Sequence, residues 1–168
     1  MPTKSFISFQ LDQQLFGVDI MLTREINRHL ELTPVPLAKK FVRGLVNLRG
    51  QIVTVLDLKN RLGLGTATLT DVSHNIILKT QAELDNMPTD QKLEEEKGYL
   101  QDKASFLVDE IGDVVTVEEV DIEPPPANIG AIDGKYLSGI IKLEGQLLSI
   151  ISVSQVLKPD EFVKQSVA

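Results

Sequence analysis

The sequence of 168 residues has no cysteine, no tryptophan and only two histidines. Without cysteine there is no disulfide framework and no thiolate metal site, so the fold must rest on its own hydrophobic core. A chain of this length can do that, because it buries about two-thirds of its unfolded surface on folding. The two imidazoles, His29 and His74, would need carboxylates at no familiar spacing to complete a zinc site. No Gly-x-Ser-x-Gly nucleophile elbow occurs. Gly63-Leu64-Gly65 lacks both the third glycine of a dinucleotide loop and the Gly-Lys-Ser/Thr of a phosphate loop. The expectation is a protein that is not an enzyme and carries no metal and no cofactor.

Long hydrophobic runs are missing as well. The longest stretch without charge, Gly145 to Leu157, is short of the ~18 apolar residues of a membrane span and is broken by Gln and Ser. Met1 to Gln10 has neither the basic start nor the apolar run of a signal peptide, which places the expected location in the cytoplasm. Positive charge is scarce too: 17 Lys and Arg against 24 Asp and Glu leave a net charge of -7. A surface that binds nucleic acid by neutralising phosphates is therefore disfavoured.

What the chain has is many short Val, Ile and Leu runs divided by Gly, Pro and Asp, the pattern of a mostly β protein. Phe6 to Leu11 and Leu15 to Ile20, joined by Asp12-Gln13-Gln14, predict an opening hairpin. Further strands are predicted at Ile26 to Leu32, Leu45 to Leu48, Ile52 to Leu56, Asn75 to Lys79, Phe106 to Val108, Val114 to Val117, Gly139 to Leu143 and Leu147 to Ile151. Asp57 to Leu62 reads as a short helix, capped by Asp57 and stopped by Gly63.

The most informative feature is an internal repeat. Phe41 to Leu56 aligns with Tyr136 to Ile151, bringing Arg49-Gly50-Gln51 onto Glu144-Gly145-Gln146. Phe16-Gly17-Val18-Asp19 likewise matches Phe106-Leu107-Val108-Asp109, and a Pro-bearing segment, Thr33 to Pro36 or Glu123 to Pro126, follows each. The glycines supply the positive φ of a tight hairpin. About five short strands per copy suit a small barrel, whose closure removes exposed edges, so two packed barrels are expected. Together they form one domain, 1–168.

Between the copies, Gln81 to Ser105 carries seven acids against three lysines and few apolar residues, which predicts a solvated loop excursion with a helical turn or two between Pro88 and Gly98. Glu118-Glu119 and Glu94-Glu95-Glu96 read as solvated charge. Arg43 and Arg49 flank the first hairpin, whereas the second copy has Ser138 and Glu144 there. Charge that the shared fold does not require suits a recognition surface, since arginine pairs with carboxylates in bidentate fashion.

The segment from Phe41 to Leu58 resembles the CheW family of chemotaxis coupling proteins. Phe16 to Ile20, Arg24-Glu25-Ile26, Thr33 to Pro36, Leu107-Val108-Asp109 and Ile122 to Pro126 follow in the family's order. The resemblance implies two SH3-like five-stranded β-barrels around a shared hydrophobic core. It also implies a non-enzymatic adaptor that links the cytoplasmic tips of chemoreceptors to the regulatory domain of a histidine autokinase, recruited from the cytoplasm to membrane receptor arrays. By the same match the receptor-binding residues would be Glu25, Ile26, Arg43, Asn47, Arg49, Gly50, Ile111 and Val114, with Arg49 as electrostatic anchor. The resemblance nominates no kinase-binding residues. A scaffold of a related non-flagellar chemosensory pathway and, from another class, a small-molecule-binding double barrel are the alternatives.

Overall fold

The computed structural model describes residues 2–28, 31–87 and 103–158. Strands β1 (Thr3–Leu11) and β2 (Gln14–Asp19) form the expected opening hairpin, with Asp12 and Gln13 both at positive φ in its two-residue turn. Then come β3 (Thr23–Arg28), β4 (Val42–Leu48), β5 (Gln51–Asp57), helix α1 (Leu58–Arg61) and β6 (His74–Leu78). Helix α2 (Gln81–Asp85) precedes β7 (Ala104–Val108) and the long β8 (Glu110–Glu118). A small hairpin, β9 (Asn128–Ile129) and β10 (Ile132–Asp133), leads to β11 (Leu137–Leu143), β12 (Gln146–Ile151) and helix α3 (Val153–Leu157). Among the described residues no helix is long and apolar enough to cross a membrane.

The strands make two five-stranded sheets, ordered β3-β6-β7-β5-β4 and β11-β12-β2-β1-β8. Written from the other end, the second sheet is β8-β1-β2-β12-β11, the same architecture with β8 in the place of β3 and the opening hairpin in the place of β6 and β7. Parallel pairing marks the match: β7 runs beside β5 as β2 runs beside β12. The two barrels are therefore not two consecutive halves of the chain. The first, β3 to β7, is inserted in the second, which borrows its two central strands from the N-terminus.

Strand alternation sends side chains into three cores. Val46, Val53, Val55, Ala67 and Leu107 fill the first barrel, while Phe6, Ile141, Leu148 and Ile150 fill the second. The largest cluster lies between the sheets: Phe9, Phe16, Ile76 and Phe106 from the central strands, joined by Leu58 and Leu62 around α1, Leu84 of α2 and Val153 and Val156 of α3. Phe9 and Phe16 stack with ring centroids 5.9 Å apart.

Gly44 and Gly139 show why the repeat keeps its glycine. The Pro-bearing segments cross directly over them, through bridges between Thr33 and Leu45 and between Glu123 and Ile140. A Cβ on Gly44 would stand 2.5 Å from the Thr33 carbonyl oxygen, and one on Gly139 would meet Ile122 at 2.7 Å. Those crossings bring the ends of each sheet together.

Arg61 of α1 binds the two barrels. Its Nε donates to the Val156 carbonyl and its Nη2 to the Lys158 carbonyl, each at 2.9 Å. The guanidinium lies 4.9 Å from the Phe41 ring centroid and 5.2 Å from that of Tyr136, the two aromatics that align in the repeat. Lys59 makes a second tie, pairing with Asp12 of the opening turn at 2.5 Å; that contact chiefly holds its pKa above the ordinary lysine value.

Three expectations are corrected. The strand predicted at Ile26 to Leu32 lies at Thr23–Arg28, and His29 and Leu30 fall outside the described residues. The polar stretch Gln81 to Ser105 is not a loop throughout: Thr80 and Glu83 form a capping box that starts α2, Leu84 is fully buried, and β7 begins at Ala104. Residues 88–102, with Pro88 to Gly98 and the Glu94 to Glu96 run, lie outside the described residues. Strand β8 starts at Glu110, four residues before the predicted Val114.

Candidate functional site

The turn between β4 and β5 uses Arg49 at φ 54 and Gly50 at φ 81, the two positive φ angles of a primed hairpin turn. In the second barrel only Gly145 of the matching pair is left-handed. Asn47 shapes the tip by accepting from the Gly50 N–H at 2.9 Å. Among the described residues no atom lies within 4 Å of the Cβ that Gly50 lacks, so its role is conformational, not steric.

From this tip the Arg49 guanidinium folds back onto Glu25 of β3, donating from Nη1 to Oε1 at 2.9 Å and from Nη2 to Oε2 at 2.7 Å. Strands β3 and β4 are the outer strands of their sheet, so this bidentate pair spans the seam where the barrel closes. The Arg49 side chain stays 68% exposed and that of Glu25 21%. The hydrogen bonds from Arg49 are the main reason the Glu25 carboxyl is held below the ordinary carboxylate value, and Glu25 in turn raises Arg49. The result is an oriented, solvent-facing fork with spare N–H donors.

Ile26 and Ile111 take equivalent positions in the two sheets. Ile26 lies opposite Ile76 on β6 and Ile111 opposite Phe9 on β1, and both are partly buried against the shared core. Each sits on the outer strand of its barrel, at the rim of that core. Val114 pairs with Ile7 and leaves 55% of its surface exposed. Thr23 is buried and its hydroxyl donates to the Asp19 carbonyl at 3.4 Å, a local contact at the start of β3.

Arg43 does not join this group. Its Nη1 donates to Asp57 Oδ2 at 3.2 Å and to the Ala67 carbonyl at 2.5 Å. Asp57 is fully buried and also accepts from the backbone N–H groups of Asn60 at 3.0 Å and Ala67 at 2.9 Å. Arg43 thus compensates a buried helix-capping carboxylate, a structural task. Sequence reasoning picked the arginine for its place beside the hairpin but had no view of the strand pairing that sets Asp57 next to it. It also passed over Arg61, Phe41 and Tyr136, although the alignment of the two aromatics in the repeat was a usable signal.

Two SH3-like barrels thus share one core, with an oriented arginine tip and apolar rim residues on the outer strands, an architecture found in a family of adaptor proteins. The chain belongs to the CheW-like domain family, whose model matches residues 5–161. It is 29% identical to the chemotaxis protein CheW of Rhizobium meliloti over 158 residues, covering 94% of this chain and 90% of that protein. The chemotaxis protein CheW of Treponema pallidum is 27% identical over 162 residues, covering 94% and 84%. The crystal structure of the scaffolding protein TtCheW from Thermoanaerobacter tengcongensis superposes with a TM-score of 0.77 at 29% identity, covering 95% of this chain and 91% of that one. The chain is a coupling adaptor of chemotaxis signal transduction.

Proposed function

We propose that this adaptor works without catalysis by holding a chemoreceptor cytoplasmic tip and the regulatory domain of a histidine autokinase together at the membrane receptor array. Binding two partners at once raises their effective concentration and puts the kinase where a receptor conformational change can bias it. The receptor surface consists of Glu25, Ile26, Asn47, Arg49, Gly50, Ile111 and Val114, with Arg43 acting from behind by bracing Asp57. The observation that carries this reading is the bidentate Glu25–Arg49 pair on the barrel seam. It fixes the direction of an exposed guanidinium that the second barrel, with Glu144 at the matching position, does without.

The test is titration of a receptor-tip fragment and of the kinase regulatory domain against wild type and Arg49→Glu. Wild type is expected to bind both in the micromolar range. Arg49→Glu is expected to lose tenfold or more toward the receptor fragment while its thermal unfolding stays near wild type. Capture of neither partner sinks the proposal, and unchanged receptor affinity removes Arg49 from the surface. A second reading, a scaffold of a related non-flagellar pathway, draws support from a relative that does not carry the chemotaxis name: Protein FrzA of Myxococcus xanthus is 23% identical over 159 residues. The receptor and kinase genes that neighbour this one discriminate between the two.

A further inference from the structure

The interior of the first barrel is wholly apolar on one side and mixed on the other. Opposite Val46, Val53 and Val55, the inward face of β3, β6 and β7 carries two register rows: Asn27, Asn75 and Leu107 in one, Glu25, Ile77 and Ser105 in the next. Asn75 is 1% exposed and Ser105 0%. Both amide atoms of Asn75, the Ser105 hydroxyl and the Asn27 Nδ2 are buried with no hydrogen-bond partner among the described residues. A buried amide or hydroxyl left in that condition is unfavourable, and such atoms in native proteins almost always pair with protein or with ordered water.

The second barrel shows that the fold does not require these unpaired atoms. Ser8 takes the place of Asn75, since it pairs with Gly17 as Asn75 pairs with Leu107. Its hydroxyl is satisfied, donating to the Asp113 carbonyl at 2.5 Å. Leu15 takes the place of Ser105. Among the described residues the unpaired buried polar atoms are thus confined to the barrel that bears the Glu25–Arg49 pair; the second barrel, with Gln10 and Glu110 in the places of Ile77 and Glu25, leaves those two side chains exposed.

We propose that Asn75, Ser105 and Asn27 are positioning residues for Glu25: they hold ordered water inside the first barrel and through it carry hydrogen bonds to the Glu25 carboxylate, which fixes how Arg49 is presented. The spacing suits water. Directly paired residues such as Asn27 and Asn75 have Cβ atoms roughly 5 Å apart and diagonal ones such as Asn75 and Ser105 roughly 7 to 8 Å, distances a single water can span between side-chain heteroatoms. A direct side-chain contact with Asn27 is one of the lesser causes that also hold the Glu25 carboxyl down, so within the file Asn27 is the member that touches Glu25 itself. The effect on receptor affinity rests on the function proposed above; the effect on Glu25 does not.

The experiment follows the Glu25 carboxyl by carbon-detected NMR titration in wild type, Asn75→Val, Asn75→Ser and Ser105→Ala, with urea unfolding and receptor-tip affinity in parallel. Asn75→Val is expected to move the Glu25 midpoint up toward 4.5, its ordinary value, and to weaken receptor binding three- to tenfold. Asn75→Ser, which keeps a hydroxyl and leaves room for one more water, is expected to restore most of both. Ser105→Ala, the mildest change, carries the test if Asn75→Val fails to fold. A Glu25 titration unmoved in every folded variant, whatever happens to stability, overturns the proposal. If the midpoint moves while neither these variants nor Arg49→Glu alters receptor binding, the positioning role stands and the receptor reading falls.

Discussion

Replacing Arg61 by alanine removes three contacts that tie the barrels together, to Val156, Lys158 and Tyr136, and one within the first barrel, to Phe41. The bond from Nε to the Val156 carbonyl is partly buried and the bond to the Lys158 carbonyl is exposed, so the first outweighs the second. Charge-assisted hydrogen bonds contribute about 1.5 to 3 kcal/mol when sheltered and less where water can replace them, and each cation–π contact at a half-open site adds about 0.5 to 1 kcal/mol. Because the freed carbonyls at the end of α3 can turn to solvent, we expect a net loss of about 2 to 4 kcal/mol. For a chain of this size that lowers Tm by roughly 5 to 12 °C. The assay is urea unfolding, in which the midpoint should fall at unchanged slope if the barrels still unfold as one unit. Arg61→Lys keeps the charge but cannot fork to two carbonyls and cover two rings, so it should recover less than half of the loss. A loss below about 0.5 kcal/mol, the range of ordinary surface substitutions, would refute the reasoning, as would full rescue by lysine.

Other outcomes follow from the same geometry. Leu84→Ala should destabilise by about 2 to 5 kcal/mol in urea unfolding, as for a leucine emptied from a packed core, and a change under 1 kcal/mol would show α2 to be dispensable. Gly44→Ala must push a methyl against the Thr33 carbonyl and should prevent folding or cost more than about 3 kcal/mol, whereas Gly50→Ala, with open space but a positive φ, should cost only about 1 kcal/mol; equal effects in thermal melts would contradict this. Glu25 has a lowered carboxyl, so its contribution is complete above 4.5 and is lost as pH falls through the folded-state value. The stability gap between wild type and Glu25→Gln should therefore close on acidification. Lys59 is raised, so its contribution is present below 10.5 and is lost as pH climbs past the folded-state value; Lys59→Met should approach wild type only in strong alkali.

Most strands could be found from the sequence because one face of each is apolar. Strand β3 was misplaced for the opposite reason. Its inward residues are Glu25 and Asn27, so alternation gave no signal, and the apolar Leu30 and Leu32 drew the prediction downstream. The interleaving of the barrels was hidden because exchanging equivalent strands leaves the order of the repeat intact: Phe16 to Asp19 and Phe106 to Asp109 match wherever each strand docks. At the site, Arg49 stood out through its hairpin glycine and its contrast with Glu144. Its partner Glu25 came only from the family resemblance, since nothing local links residues 24 apart. Arg43 shows the limit of that contrast, because Ser138 also differs from it, yet Arg43 serves Asp57 and not a surface.

The borrowed hairpin also sets a timetable for synthesis. Residues 23–108 hold all five strands of the first barrel, which can assemble as soon as β7 leaves the ribosome. Strands β1 and β2 precede their outer partners, β1 waiting for β8 and β2 for β12, and at 5 to 20 residues per second the delay between β2 and β12 is roughly 7 to 25 seconds. Through that interval Phe6, Phe9 and Phe16 sit on a hairpin whose β2 edge is unpaired, a template for pairing with neighbouring nascent chains. Closure of the second barrel then joins segments more than a hundred residues apart, the slowest kind of contact to form. An N-terminal tag or truncation that hinders the first hairpin should thus show itself as aggregation during expression, well before any binding surface is touched.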